Sequence, residues 1–318
     1  MKILIAGGAG YIGSALTPVL LDRGYDVDVI DLLWFGNHLP KEAHIVKKDI
    51  FHLVEADLKD YDQVIFLAGL SNDPMAEFSP AKNFISNAAS PAYLAYTAKR
   101  AGVKRFIYAG SCSVYGYTVN QLYDETSPAI SHYPYGISKL QGEQAVMQMK
   151  DEKFSVICFR QGTVGGYSPR MRLDLVVNTM FKTALVTKEI TVNNPAIWRP
   201  ILSIRDAVSA YVRAVEANEE ISGIFNVASG NYTLGEIGDI VRHAIETEMK
   251  LDIKLTIKHM HDLRNYKVSF EKARNILSFK PAHDVGSITS ELITNLDKFK
   301  DFDNPNYYNI QVFKALAL

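Results

Sequence analysis

The run Gly7-Gly8-Ala9-Gly10-Tyr11-Ile12-Gly13 constrains this chain more than any other stretch, because of what stands on either side of it. Lys2 to Ala6 reads as a buried strand, and the loop leads into a helical pattern through Leu16, Val19 and Leu20. A second strand, Asp26 to Ile30, ends at Asp31. Strand, glycine loop, helix, strand and acid make a βαβ unit of the dinucleotide-binding kind. In that unit Gly7 permits the turn, Gly10 lets the backbone approach a pyrophosphate, and Gly13 allows the helix to pack closely. The helix N-terminus adds partial positive charge. Asp31 is placed to accept from ribose hydroxyls and would repel a 2′-phosphate, so NAD is expected rather than NADP. The cofactor residues read from this unit are Gly7, Gly10, Tyr11, Ile12, Gly13 and Asp31.

Further strands are expected over Gln63 to Ala68, Arg105 to Ala109, Phe154 to Phe159 and Gly223 to Ala228, with helical segments such as Pro80 to Arg100 between them. That alternation predicts an α/β fold, a Rossmann-type doubly wound parallel sheet joined to a smaller, discontinuous α/β substrate domain. Residues 1–164 with about 200–228 are assigned to the cofactor domain, and about 165–199 with 229–318 to the second. At 318 residues and 47% hydrophobic content a sizeable core is expected. A net charge of −1 gives no reason to expect nucleic acid or a membrane surface as partner. Only Cys112 and Cys158 are present, no apolar run is long enough to span a bilayer, and a cytoplasmic setting is expected. No metal is expected.

The chemistry is sought at Tyr133-Pro134-Tyr135-Gly136-Ile137-Ser138-Lys139. Pro134 suits a first helical turn, and Ile137, Leu140, Ala145, Val146 and Met149 suggest an apolar face beyond it. Tyr135 and Lys139 then lie one turn apart, where an ammonium would favour the phenolate and make Tyr135 a base. A surface Tyr/Lys pair has the same spacing.

Taken in order, Gly7-x-x-Gly10-x-x-Gly13, Asp31, Asp49-Ile50, Ala109-Gly110-Ser111-Cys112-Ser113-Val114-Tyr115-Gly116 and Tyr135-x-x-x-Lys139 resemble the extended short-chain dehydrogenase/reductase family, in its nucleotide-sugar epimerase/dehydratase branch. The resemblance implies Ser111, Tyr135 and Lys139 as the catalytic set. Tyr135 and Lys139 would also touch the cofactor, together with Asp49, Ile50, Ala68 and Asn87. It implies a nucleotide-diphosphate sugar as substrate and a homodimer formed through the helices Pro80–Arg100 and Pro134–Lys150.

Within the branch, 4,6-dehydratases resemble one another in carrying Asp-Glu after the catalytic Thr, and sugar-acid decarboxylases place a Glu two residues before the Tyr of Val-Tyr-Gly. Here those positions hold Cys112 and Ser113, neither of which replaces a carboxylate. Members that use a Cys for proton transfer carry it where this chain has Ser113. Cys112, shifted by one, is expected to point the other way and join the core, as is Cys158. The 4-epimerases and simple C4 dehydrogenases have Ser or Thr at the Ser113 position.

In the carboxy-terminal half, Thr163 occupies a position usually held by a diphosphate-binding Asn, and Ser168 to Asn178 resembles enzymes acting at C4 of nucleotide-linked heptoses. Substrate contacts are expected from Ser113, Thr163, Arg170, Arg172, Asn178, Arg199 and Arg264; the resemblance implies Arg199 and Arg264 for the diphosphate, where guanidinium groups suit bidentate recognition. Arg170 and Arg172 would equally pair with Asp174 on a solvated face. Asp206 is expected to cap the helix after it, and the tail 301–318 to cover surface. The reading that results is NAD-dependent hydride transfer at sugar C4, as a 4-epimerase. The alternatives are a C4 dehydrogenase or 4-keto-reductase and, in another class, a non-catalytic NAD-binding regulator.

Overall fold

The computed structural model describes residues 1–259 and 264–316, without the side chains of residues 119 and 120. Seven strands form one parallel sheet: β1 (Lys2–Ala6), β2 (Asp26–Asp31), β3 (His44–Lys47), β4 (Gln63–Phe66), β5 (Arg105–Ser111), β6 (Ser155–Gln161) and β7 (Gly223–Val227). Their spatial order is β7-β6-β5-β4-β1-β2-β3. A parallel sheet must be covered on both faces, which is why β1, β4 and β6 are near-continuous apolar runs. One face packs Ile3, Ile5 and Ile107 against Leu16 and Leu20 of α1 (Gly13–Asp22). The other packs Leu4, Phe66 and Phe106 against Leu94 of α2 (Ser90–Ala101) and Val146 of α3 (Pro134–Met147).

The chain runs outward from β1 to β3, then returns to place β4 on the other side of β1. Such a reversal leaves a crevice at the carboxyl ends of β1 and β4, where doubly wound sheets bind ligands. A separate apolar cluster, including Val177, Phe181, Ile237 and Ile288, packs the helices Val176–Thr187, Leu234–Met249 and Val285–Thr294 together. No described helix is long and apolar enough to cross a membrane.

Three local expectations are revised. Pro80 to Arg100 is not one α-helix: a π-helical turn, Ile85–Ala89, separates Pro80–Phe84 from α2. Pro91 has no N–H to give the carbonyl of Asn87 four residues back, and that carbonyl accepts from Tyr108 Oη at 3.0 Å instead. In α3 the buried face is small and polar, with Gly136, Ser138, Lys139, Gly142, Glu143 and Val146, while Ile137 is 40% exposed. A Cβ on Gly142 would lie 2.1 Å from Asn87 O, so this face packs at backbone distance. Lastly, Ser203, not Asp206, caps the helix Ile204–Glu216. Asp206 is buried and instead accepts from Ser229 Oγ at 2.6 Å and from the backbone N–H groups of Ala282 and His283.

Candidate active site

The glycine loop forms one side of the crevice. Gly7 has φ +81° and a Cβ there would lie 2.4 Å from Ala68 N, so this loop and the end of β4 touch at the sheet's switch point. A Cβ on Gly13 would lie 2.3 Å from Gly8 O, whereas one on Gly10 meets only Gly7 O at 3.3 Å. The space above Gly10 is therefore left open by the protein itself. Asp31 holds the loop in place by accepting from Ala9 N at 3.0 Å and Leu33 N at 2.8 Å. Burial pushes its carboxyl pKa up, with those two N–H groups opposing. A cavity of about 360 Å³ follows, lined by Asp31, Trp34, Asp49, Ile50 and Ala68 among others.

A second cavity, of about 290 Å³, shares Gly7, Gly10, Phe35, Leu67 and Gly69 with the first. It holds Ser111, Ser113, Tyr135 and Lys139 from two separate stretches of chain. Ser111 ends β5 and caps the 3-10 turn Cys112–Tyr115, accepting from Ser113 N at 3.2 Å and Ser113 Oγ at 2.9 Å. Ser111 also acts to lower the pKa of the Tyr135 phenol, which lines the same cavity. Cys112 is fully buried with its Sγ 3.1 Å from Arg160 O, and the turn, not strand alternation, sends it away from the cavity. Cys158 is in the core as well.

Lys139 Nζ donates to Ala109 O at 2.9 Å and lies 6.0 Å from the centroid of the Tyr135 ring. The two groups do not form the simple phenolate pair expected. Burial pushes the Tyr135 phenol up, with Ser111 opposing, and pushes Lys139 down to about 7. Asn87 lies in the π-turn behind Gly69 and donates to Leu70 O, Asn83 Oδ1 and Ser138 Oγ. Its Oδ1 has no partner, and a Cβ on Gly69 would fall 2.5 Å from it and 2.9 Å from Lys139 Nζ.

Thr163, Arg170, Arg172, Arg199 and Arg264 line the same cavity. Arg172 pairs with Asp174 at 2.8 Å and donates to Ser71 Oγ at 2.9 Å, and Arg264 pairs with Asp73 at 2.5 Å. The neighbours Asp262 and Leu263 lie outside the described residues. Two side chains expected at the ligand have their polar groups engaged elsewhere, although Tyr11 still lines the cavity. Asn178 is fully buried, accepting from Gly166 N and donating to Tyr11 Oη, Gly166 O and Arg172 O, so its amide braces the loop and does not face the cavity. The Tyr11 hydroxyl donates to Gly166 O at 2.6 Å and is likewise committed.

Asp73, Tyr266, Ser71 and Asn309 also line the cavity and had not been singled out. Only Asp73 left a local trace, in the helix-starting pattern Asn72-Asp73-Pro74. The rest arrive through tertiary contacts. An open glycine turn at a helix N-terminus, an acid beside it, and an unsatisfied Asn87 Oδ1 next to Lys139 fit a dinucleotide whose diphosphate crosses from one cavity to the other.

Comparison with known proteins agrees with that geometry. Residues 3–228 match the NAD dependent epimerase/dehydratase family. The UDP-glucose 4-epimerase of Corynebacterium glutamicum is 24% identical over 303 residues, covering 89% of this chain and 92% of the relative. UDP-glucuronic acid decarboxylase 4 of Arabidopsis thaliana is 26% identical over 302 residues, covering 88% and 65%. Among solved structures, an NAD-dependent NDP-hexosamine 5,6-dehydratase of tunicamycin biosynthesis superposes with a TM-score of 0.82 at 22% identity, covering 95% of this chain and 99% of that one. Three reaction types thus stand at similar distance, and the fold is common to them.

Proposed function

The chain belongs to the NAD-dependent epimerase/dehydratase family of enzymes, and on that premise we propose that it is a nucleotide-diphosphate-sugar 4-epimerase. The observation that carries the choice is the Ser111-Cys112-Ser113 turn. Where a dehydratase or decarboxylase needs an acid, Ser113 stands 2.9 Å from Ser111, and Cys112 is turned into the core. The cavity's carboxylate, Asp73, is held by Arg264. The UDP-sugars named for the relatives make a uridine nucleotide the first candidate.

NAD, when bound, supplies the acceptor and donor of hydride for sugar C4. Tyr135 and Ser111 share the C4 oxygen. The buried Tyr135 phenol is a proton donor in the free protein, suited to returning a proton to a keto oxygen. It becomes an acceptor as positive charge is brought to it, a direction in which Arg172 already acts. Lys139, which donates to Ala109 O, would hold the nicotinamide ribose. Arg199 and Arg264 take the substrate diphosphate, which positions C4. Residues 1–164 with about 200–228 would carry the cofactor, and the remainder the sugar nucleotide. A homodimer through α2 and α3 would cover the exposed Tyr96 and Ile137.

Incubation with UDP-, GDP- and dTDP-hexoses, and with UDP-glucuronic acid, tests the reading. A 4-epimer without net NADH is expected. A keto-sugar with stoichiometric NADH would replace the epimerase by a C4 dehydrogenase, and release of water or carbon dioxide would overturn both.

A further inference from the structure

We propose that Arg170 and Asn309 clamp a diphosphate, that of the cofactor, so that the C-terminal helix Asn309–Ala315 is a working part of the NAD site.

Arg170 is 2% exposed yet lines the cavity that contains Gly10 and Gly13. Among the described residues no carboxylate lies within 4.0 Å of its guanidinium, and its Nε has no partner. Burying a guanidinium without a counter-ion is costly unless a ligand supplies one. Burial pushes its pKa down, to about 9, with the neighbouring Arg172 acting the same way and the more distant charges of Asp174 and Asp31 opposing. Arg172 carries a second buried, unpartnered nitrogen, Nη2. The guanidinium is held in place by the ring of Phe35, 3.7 Å away, and by Asn309 Oδ1, 2.5 Å from Nη2. Arginine planes fixed in this way present a rigid donor fork to phosphate oxygens.

Position selects the cofactor's diphosphate over the substrate's. The segment carrying Arg170 is stitched to the glycine loop and to the first turn of α1. Ser168 Oγ donates to Tyr11 O at 2.6 Å and lies 2.8 Å from Ser14 Oγ, and Arg170 N donates to Ser14 Oγ at 3.2 Å. Phe35, on which Arg170 stacks, lines both cavities. Arg170 therefore stands where a dinucleotide passes between them, at the helix N-terminus that favours anions. The C-terminal helix is fastened to the same place. Phe313 packs on Leu70 and Met75 and lies 6.2 Å from the ring of Trp34, which lines the Asp31 cavity. Asn309 Nδ2 donates to Ser71 Oγ at 2.8 Å, and Asn309 N to Asp174 at 3.2 Å. The tail thus closes over cofactor-binding elements.

The test is binding of four ligands, NAD, ADP, adenosine and UDP, to the full chain freed of nucleotide, by calorimetry, or by ligand-observed NMR for adenosine. Arg170→Met should weaken NAD and ADP about 10- to 100-fold and leave adenosine and UDP within about twofold. Asn309→Ala, which keeps the arginine but loosens it, should weaken NAD and ADP about 3- to 10-fold. Melting curves check that each variant folds, and Asn309→Ala decides the matter if Arg170→Met does not. Loss of UDP with ADP unchanged, equal loss of both, or no change in any ligand overturns the proposal. Failure of the unaltered protein to bind NAD would instead strike at its NAD-dependence.

Discussion

The glycine loop and the arginine-lined wall meet in one cavity but are built by different means. The loop is seven consecutive residues whose work is done by backbone, with Gly10 and Gly13 meeting the loop itself and Gly7 meeting the chain just after β4. The wall takes Arg170, Arg172, Arg199, Arg264 and Asn309 from segments far apart, and holds them with Asp174, Asp73, Ser71 and Phe35. Backbone sites are stiff and nearly independent of the rest of the fold. Side-chain sites depend on every segment that positions them, so a single distant change can disable them.

Where the two parts meet, at Tyr135, the largest effect is expected. Tyr135→Phe should lower turnover about 10²- to 10⁴-fold while NAD stays bound, because the hydroxyl serves only the proton. Steady-state rates with NAD retention after gel filtration check this. Next come the glycines, which should separate by role. Gly13→Ala should destabilise the fold by about 1–3 kcal/mol, since its Cβ would strike the backbone of Gly8. Gly10→Ala should melt like the unaltered protein and lose NAD affinity, because its Cβ occupies ligand space. Equal melting losses at both positions would break the idea that the loop keeps one glycine for packing and another for ligand.

On the wall, Arg264→Met should raise KM for the nucleotide sugar about 10-fold without altering NAD affinity. A matching loss of NAD would merge the two regions. The smallest effect concerns stability. Lys139 has a folded pKa of about 7, below its ordinary value, so the folded protein binds fewer protons between about pH 7 and 10.5. Its burial penalty is full below pH 7 and fades as pH rises. Lys139→Met should therefore melt about 5 °C higher than the parent at pH 6 and converge with it toward pH 10, though inactive. A pH-independent difference would contradict burial of the charged form.

The same division explains what could be read before the structure. Six of the seven parallel strands were visible as apolar runs, all but the largely exposed β3, and the loop, Asp31, Ser111, Tyr135 and Lys139 line the two adjoining cavities of the crevice. Their positions follow from short-range rules, since strand, turn and helix each fix the next. Cys112 was rightly placed in the core, although by a 3-10 turn rather than strand alternation. Asn178 and Tyr11 look like ligand contacts in a linear motif, but their polar groups are taken by Gly166 and by each other. Nothing near Asn309 in sequence marks it, because its partners stand over 100 residues away. The polar inner face of α3 was hidden for a related reason: Lys139 and Glu143 are tolerated there only because Ala109 O and Arg160 meet them.

Transfer of the hydrogen at sugar C4 is the step on which the function rests, and it can be followed directly. The protein would be mixed with nucleotide hexoses deuterated at C4, quenched within one turnover, and its released NAD(H) examined by mass spectrometry. Deuterium should appear on the cofactor and, at later times, return to C4 of the epimer. Conversion of any of these sugars with deuterium held at C4 throughout and none on the cofactor would contradict hydride transfer at that carbon.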